Sequence, residues 1–264
     1  MNNQLEEHIL KNYILECCVD SVESAIEAQK GGADRVELCS ALVIGGLSPS
    51  VAMFQKVKEA IDIKVHVLLR PRFGDFCYTD YEHEILKEEV KMFRNLGADG
   101  VVIGTLKPDG TLNMEQMKEL VEAAGEMSIT LHRAFDMCVN PVKTLEDAKA
   151  LGIHTILTSG QKNNCINGTD LLAKLVEQSN QEIDIMIGGG VDASVIKELH
   201  DKTGATSYHM SGKIVVDSDM KYRKEDVNMG VATISEYDIW RTSAKRVADA
   251  KAVLNEIRDI ILKR

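Results

Sequence analysis

The 264-residue chain predicts an α/β fold, a (β/α)₈ TIM barrel in a single domain. Three observations predict it: the length, eight short apolar runs alternating with longer amphipathic stretches, and one helix-to-strand joint that recurs along the chain. Barrels of this kind typically occupy about 250 residues as one domain. The 27% of charged residues are spread without a low-complexity tract, which excludes a disordered chain.

The runs are rich in β-branched residues and read as parallel strands near Tyr13–Val19, Asp34–Cys39, Lys64–Arg70, Asp99–Gly104, Ser128–His132, His154–Thr158, Ile183–Ile187 and Thr206–Met210. Helix starts are marked between them. Asp20 with Glu23 reads as a cap with a reciprocal partner, and Ser48 and Asn140 each precede a proline suited to a first helical turn. Apolar residues at helical spacing supply the bodies, as in Phe54, Val57 and Ile61, or Met114, Met117, Val121 and Ala124. The single domain covers 1–264, with 1–12 as an N-terminal extension and 233–264 as a C-terminal helical segment whose face Val247, Ala250, Leu254, Ile257 and Ile261 packs on the barrel.

The recurring joint is Gly-Gly-Ala-Asp-Arg-Val-Glu-Leu from Gly31, Leu-Gly-Ala-Asp-Gly-Val-Val-Ile from Leu96, Leu-Gly-Ile-His-Thr-Ile-Leu-Thr from Leu151 and Thr-Gly-Ala-Thr-Ser-Tyr-His-Met from Thr203. A glycine ends each helix and a short turn drops into the next strand. This repetition suits a closed barrel better than an open doubly wound sheet, which stands as the alternative. No Gly-x-Gly-x-x-Gly follows the first strand, which removes the main dinucleotide signal.

A net charge of −10 without any basic run excludes a nucleic-acid partner. Residues 1–11 are polar and acidic, unlike a signal or transit peptide, and no apolar stretch approaches the ~20 residues that span a bilayer. No membrane association and a cytoplasmic location are expected. The six cysteines then read as reduced thiols, and the absence of any Cys-x-x-Cys leaves only ligands assembled across space.

Alternate residues of a barrel strand face the helices and the lumen. Placing Leu15, Cys17, Val19, Val36, Leu38, Val65, Val67 and Leu69 against the helices turns Glu16, Cys18, Glu37, Cys39, His66, Arg70, His132 and His209 inward. Such charges are expensive to bury unpaired, and most lie late in their strands, at the end where barrel enzymes place their chemistry. Arg72, Asp75, Arg133 and Asp136 follow just beyond. The bland alternative is an internal ion-pair network in which Glu16 or Glu37 pairs with Arg70. Gly188, Gly189 and Gly190, with Ser211, follow the seventh and eighth strands, where backbone amides often cradle a phosphate; glycine turns are equally ordinary there.

Four blocks carry a resemblance over about Leu15 to Gly230: Glu16-Cys-Cys-Val-Asp-Ser-Val-Glu-Ser-Ala25, Gly31-Gly-Ala-Asp-Arg-Val-Glu-Leu-Cys-Ser40, Arg70-Pro-Arg-Phe-Gly-Asp75 and His132-Arg-Ala-Phe-Asp136. With Leu157-Thr-Ser-Gly160 and Gly188–Gly190, the chain resembles the CutC copper-homeostasis family. The resemblance implies a TIM barrel, a cytosolic location, a homo-oligomer (dimer or tetramer) and a link to copper. It implies Cu(I) on the matching Cys18 and Cys39, thiolates being suited to that soft ion. A second class is an enzyme acting on a small anionic or phosphorylated molecule. Its catalytic set is Glu16 or Glu37 as base, His132 or His209 as partner, Arg70 with Arg72 as anion clamp, and Asp136 nearby. The inward carboxylates and histidines also resemble a site for Mg, Mn or Zn.

Overall fold

The computed structural model describes residues 13–231 and 233–263. The N-terminal extension expected over residues 1–12 lies outside them. Eight parallel strands close in sequence order: β1 (Ile14–Val19), β2 (Arg35–Leu38), β3 (Lys64–Leu68), β4 (Gly100–Ile103), β5 (Ser128–Leu131), β6 (Thr155–Thr158), β7 (Asp184–Ile187) and β8 (Ser207–Met210). Pairing of β1 with β8 completes the barrel and rules out the open sheet. Helices α1 (Val22–Lys30), α2 (Val51–Ala60), α3 (Asp80–Asn95), α4 (Met114–Ala124), α5 (Pro141–Ala150), α6 (Thr169–Ser179) and α7 (Ala193–Thr203) follow the first seven strands.

The expected alternation appears as two apolar regions. Leu15, Cys17, Val19, Val36, Leu38, Val65, Val67 and Leu69 join one large cluster with the helices. Cys39, Leu68 and Val102, of the opposite parity, form a small separate one. The recurring joint is built as expected, with Gly32, Gly97, Gly152 and Gly204 all in the left-handed region that favours glycine.

Two of the expected caps are corrected. α1 is capped by Ser21, whose side chain accepts from the Ser24 N–H, while Asp20 accepts from the Leu42 N–H and fastens the following loop. α2 is capped by Ser50 rather than Ser48, whose hydroxyl donates to Glu89 and accepts from the Arg70 N–H. Asn140 caps α5 as expected, with Pro141 in its first turn.

The C-terminal segment also differs from the expectation. Helix begins only at α8 (Ala244–Leu262), and Asp238–Thr242 is a strand, β10, paired antiparallel with β9 (Lys213–Asp217). The β-branched and aromatic residues of Ile214-Val-Val216 and Ile239-Trp240 suit this ribbon, and the Lys213 ammonium sits 3.2 Å from the centroid of the Trp240 ring. α8 buries Val247, Ala250, Leu254 and Ile257, and packs mainly on α7 and α1. Among the described residues no helix is long and apolar enough to cross a membrane.

Candidate functional site

Register brings the inward residues of β1, β2 and β8 together. Glu16 is paired with Arg35 on one side and His209 on the other, and Cys18 lies beside Glu37. Glu16, fully buried, accepts from Arg35 Nε at 2.5 Å through Oε2 and bonds His209 Nδ1 at 2.7 Å through Oε1. Burial alone would raise its carboxyl. The Arg35 guanidinium, then the His209 hydrogen bond, hold it well below the usual carboxylate range instead.

Since Nδ1 of His209 is engaged by Glu16, Nε2 faces the other way, 3.7 Å from Glu37 Oε2. Ligand atoms of Cys18, Glu37 and His209 all lie within 4.8 Å of one another. Burial opposes the charge on His209, but Cys18 and Glu37 beside it raise its pKa well above the ordinary imidazole range. Glu37 is pushed up to about 7, by burial first and then against the pull of His209. His66, next to Glu37 in register, is lowered to about 4 by burial and then by Arg35.

A second group stands across the mouth, after β3 and β5. Arg70 is buried and spreads its guanidinium over backbone carbonyls, Nη1 donating to Ile44 and Gly46 and Nη2 to Gly74 at 2.6 Å. His132 is buried as well; its Nδ1 accepts from the Ala134 N–H at 3.1 Å, and burial followed by the Arg70 charge lowers it to about 3. Both groups line one cavity of about 270 Å³ at the C-terminal mouth, together with Cys18, Glu37, Phe76, Gly189, Gly190, His209 and Ser211. A larger hollow of about 690 Å³ opens at the opposite end of the strands, beside Thr155, Asp184 and Ser207, and none of the expected site residues line it.

The remaining expected residues take other places. Glu16 pairs with Arg35, so the ion-pair alternative through Arg70 is replaced by a different pairing. Arg72 is half-exposed and held by Glu82, Asp75 and the Cys77 carbonyl. Asp136 organises the turn after β6, accepting from Thr158 Oγ1, the Ser159 and Gln161 N–H groups and Arg133. Neither borders the cavity. Gly188 uses its N–H on the Thr158 carbonyl, and the N-terminus of α7 is already capped by the Asp192 carboxylate. Cys39 is fully buried, donates to the Val19 carbonyl at 3.5 Å, and packs with Leu68 and Val102 outside the group formed by Cys18. Burial, with Cys18 adding to it, raises its thiol well above the usual range.

Sequence reasoning missed Arg35 and Phe76. Arg35 was legible, because it shares the parity of Glu37 and Cys39 on β2. Phe76 sits in the irregular stretch between β3 and α3, where no periodicity assigns a direction.

A closed (β/α)₈ barrel whose C-terminal mouth gathers a thiol, an imidazole and two carboxylates is the class this fold and site define. The chain belongs to the CutC family, whose model matches residues 13–214. It is 40% identical over 246 residues to a human copper homeostasis protein cutC homolog, covering 93% of this chain and 90% of that one. It is 42% identical over 242 residues to a CutC family protein of Bacteroides fragilis, covering 91% and 96% respectively. A crystal structure described as the copper homeostasis protein CutC of Streptococcus agalactiae superposes with a TM-score of 0.71 at 31% identity, over 75% of this chain and 98% of that chain. A thiamine phosphate pyrophosphorylase from Pyrococcus furiosus, 17% identical with a TM-score of 0.55 over 94% and 98%, shares the fold alone.

Proposed function

We propose that this chain binds a copper ion at the barrel mouth through Cys18, His209 and Glu37, in a cytosolic copper-homeostasis role like that named for its relatives. The observation that carries this is the convergence of three ligand atoms of these residues within 4.8 Å, with Glu16 holding the far nitrogen of His209. A carboxylate on the second imidazole nitrogen is the usual outer-shell device for orienting a metal-bound histidine. Thiolate and imidazole suit Cu(I), the added carboxylate extends the set to Zn or Cu(II), and the thiolate makes Mg and Mn poor fits. Cys18 rather than the Cys18 and Cys39 pair supplies the sulfur in this reading, because Cys39 donates to the Val19 carbonyl, packs against Leu68 and Val102, and stands outside the group of Cys18, Glu37 and His209.

The test is anaerobic Cu(I) titration against a chelator of known affinity, with Zn in parallel. One equivalent is expected, weakened at least tenfold by Cys18→Ser and by His209→Asn and much less by Cys39→Ser. Unchanged affinity in both of the first two variants would overturn the site.

A second reading, an enzyme acting on a small anionic molecule, is favoured by Glu37, a carboxyl titrating near 7 inside a cavity of metabolite size. The chain is also read as a homo-oligomer, a dimer or tetramer. Support comes from the exposed apolar residues Val215, Val216, Met220 and Met229 on and beyond β9.

A further inference from the structure

Arg70 and His132 carry buried polar atoms that have no hydrogen-bond partner among the described residues, Nε of the first and Nε2 of the second. Arg70 is only 7% exposed, and no carboxylate lies within 4.0 Å of it among the described residues. A buried cation answered only by neutral carbonyls is an expensive arrangement, which an anion would relieve. His132 is fixed in one tautomer by its own backbone: the Ala134 N–H occupies Nδ1, so the ring proton resides on Nε2, and the imidazole is neutral.

One side chain joins the two. The Phe76 ring packs 4.7 Å, centroid to centroid, from the His132 ring and 5.0 Å from the Arg70 guanidinium carbon. Its backbone is pinned, the Phe76 carbonyl accepting from the Leu106 N–H at 2.8 Å, but the side chain is part-exposed and belongs to the irregular stretch after β3. All three line the 270 Å³ cavity, with Leu42, Leu68 and Leu157 as apolar neighbours.

We infer that Arg70 Nε and His132 Nε2 form the binding subsite of a small organic carboxylate, admitted when the Phe76 ring swings aside. Two N–H donors, one on a cation and one on a neutral ring, match the two oxygens and single charge of a carboxylate. The pair itself offers two donors, fewer than the oxygens of a phosphate dianion would use, and the Gly188 amide beside the mouth is already spent on the Thr158 carbonyl. The apolar neighbours suit a short carbon skeleton, and its far end would reach across the cavity toward Cys18, Glu37 and His209. The inference deepens the enzyme reading by naming its ligand class; it requires neither a metal nor turnover.

The test is calorimetric titration of the metal-stripped protein with pyruvate, malonate and inorganic phosphate. Saturable binding of a carboxylate is expected, weakened at least tenfold by His132→Asn, which keeps an acceptor for Ala134 but deletes the Nε2 donor. Arg70→Met should abolish it; should that variant fail to fold, because Arg70 also fastens its loops, His132→Asn decides. Phe76→Ala should bind faster and at least as tightly. The inference is overturned by absence of carboxylate binding in both the wild type and Phe76→Ala, by binding indifferent to His132→Asn, or by a preference for phosphate. Carboxylate binding without turnover in any assay would sink the enzyme reading and leave the subsite standing.

Discussion

His209 is held between two carboxylates that behave oppositely because their partners differ. Glu16 has Arg35 hydrogen-bonded behind it and stays ionised, whereas Glu37 lacks a hydrogen-bonded arginine, and burial outweighs the pull of His209 at 3.7 Å so that it titrates near neutrality. Breaking the buried Arg35–Glu16 pair leaves a charge without compensation, so Arg35→Met should destabilise the fold by about 3–5 kcal/mol, measured by chemical denaturation. Glu16→Gln is milder. It keeps an acceptor for His209 and a polar oxygen facing Arg35 but loses the charge, so some destabilisation accompanies a fall in metal affinity of about 10–100-fold, read on the folded fraction. Much of this site was legible from strand parity, Arg35 included, since Glu16, Cys18, Glu37 and His209 are regular strand residues. Arg70 was placed inward correctly, but its carbonyl partners Ile44, Gly46 and Gly74 lie in loops whose course no pattern reports. Asp136 stood in the right motif and performs a turn-building task instead, which residue type alone does not reveal.

The elements around the mouth depend on local devices that differ from the sequence expectation by one or two residues. Ser21, not Asp20, satisfies the first turn of α1, so Ser21→Ala should cost about 1 kcal/mol while Asp20→Ala should chiefly loosen the loop at Leu42. Comparing the two denaturation midpoints checks this. Both residues are competent cappers, and tertiary demand for Asp20 at the Leu42 amide decided between them. The strand Asp238–Thr242 was hidden for a related reason: its partner lies across a loop of some twenty residues, so local periodicity alone could not recruit it. The β9–β10 ribbon exposes Val215 and Val216, and Val215→Lys with Val216→Glu should lower the assembly state in sedimentation velocity if this face joins copies of the chain.

For the molecule as a whole, α8 is fastened over the end of α1 on the outside of the closed barrel. Gly31 has an ordinary helical φ, and its glycine is required by contact alone: a β-carbon there would stand 2.5 Å from Val247 Cβ and 2.7 Å from the Ala244 carbonyl oxygen. Gly31→Ala should therefore destabilise by about 1–3 kcal/mol and raise hydrogen exchange in α8 first. Acid should act globally through His66 and His132. Both bind protons less readily folded, at about 4 and about 3, than at the ordinary 6.5, so the stability they allow is complete above pH 6.5 and is lost as pH falls toward those values. Each tenfold difference in proton affinity is worth about 1.4 kcal/mol, and a few kcal/mol is expected for each histidine. His66→Gln should flatten the denaturation profile between pH 6.5 and 4; an unchanged slope would show that His66 is already charged. Glu37, raised rather than lowered, works against this trend as pH falls from 7. The ammonium of Lys213 resting on Trp240 has a further use, because Trp240 is the sole tryptophan of the chain and Lys213 lies two residues beyond Ser211 in the cavity wall. A ligand that shifts Ser211 moves a positive charge across the indole face, so the protein carries its own fluorophore: occupancy of the mouth should change emission intensity without any added label, and Trp240→Phe should silence the signal while leaving calorimetric binding unchanged.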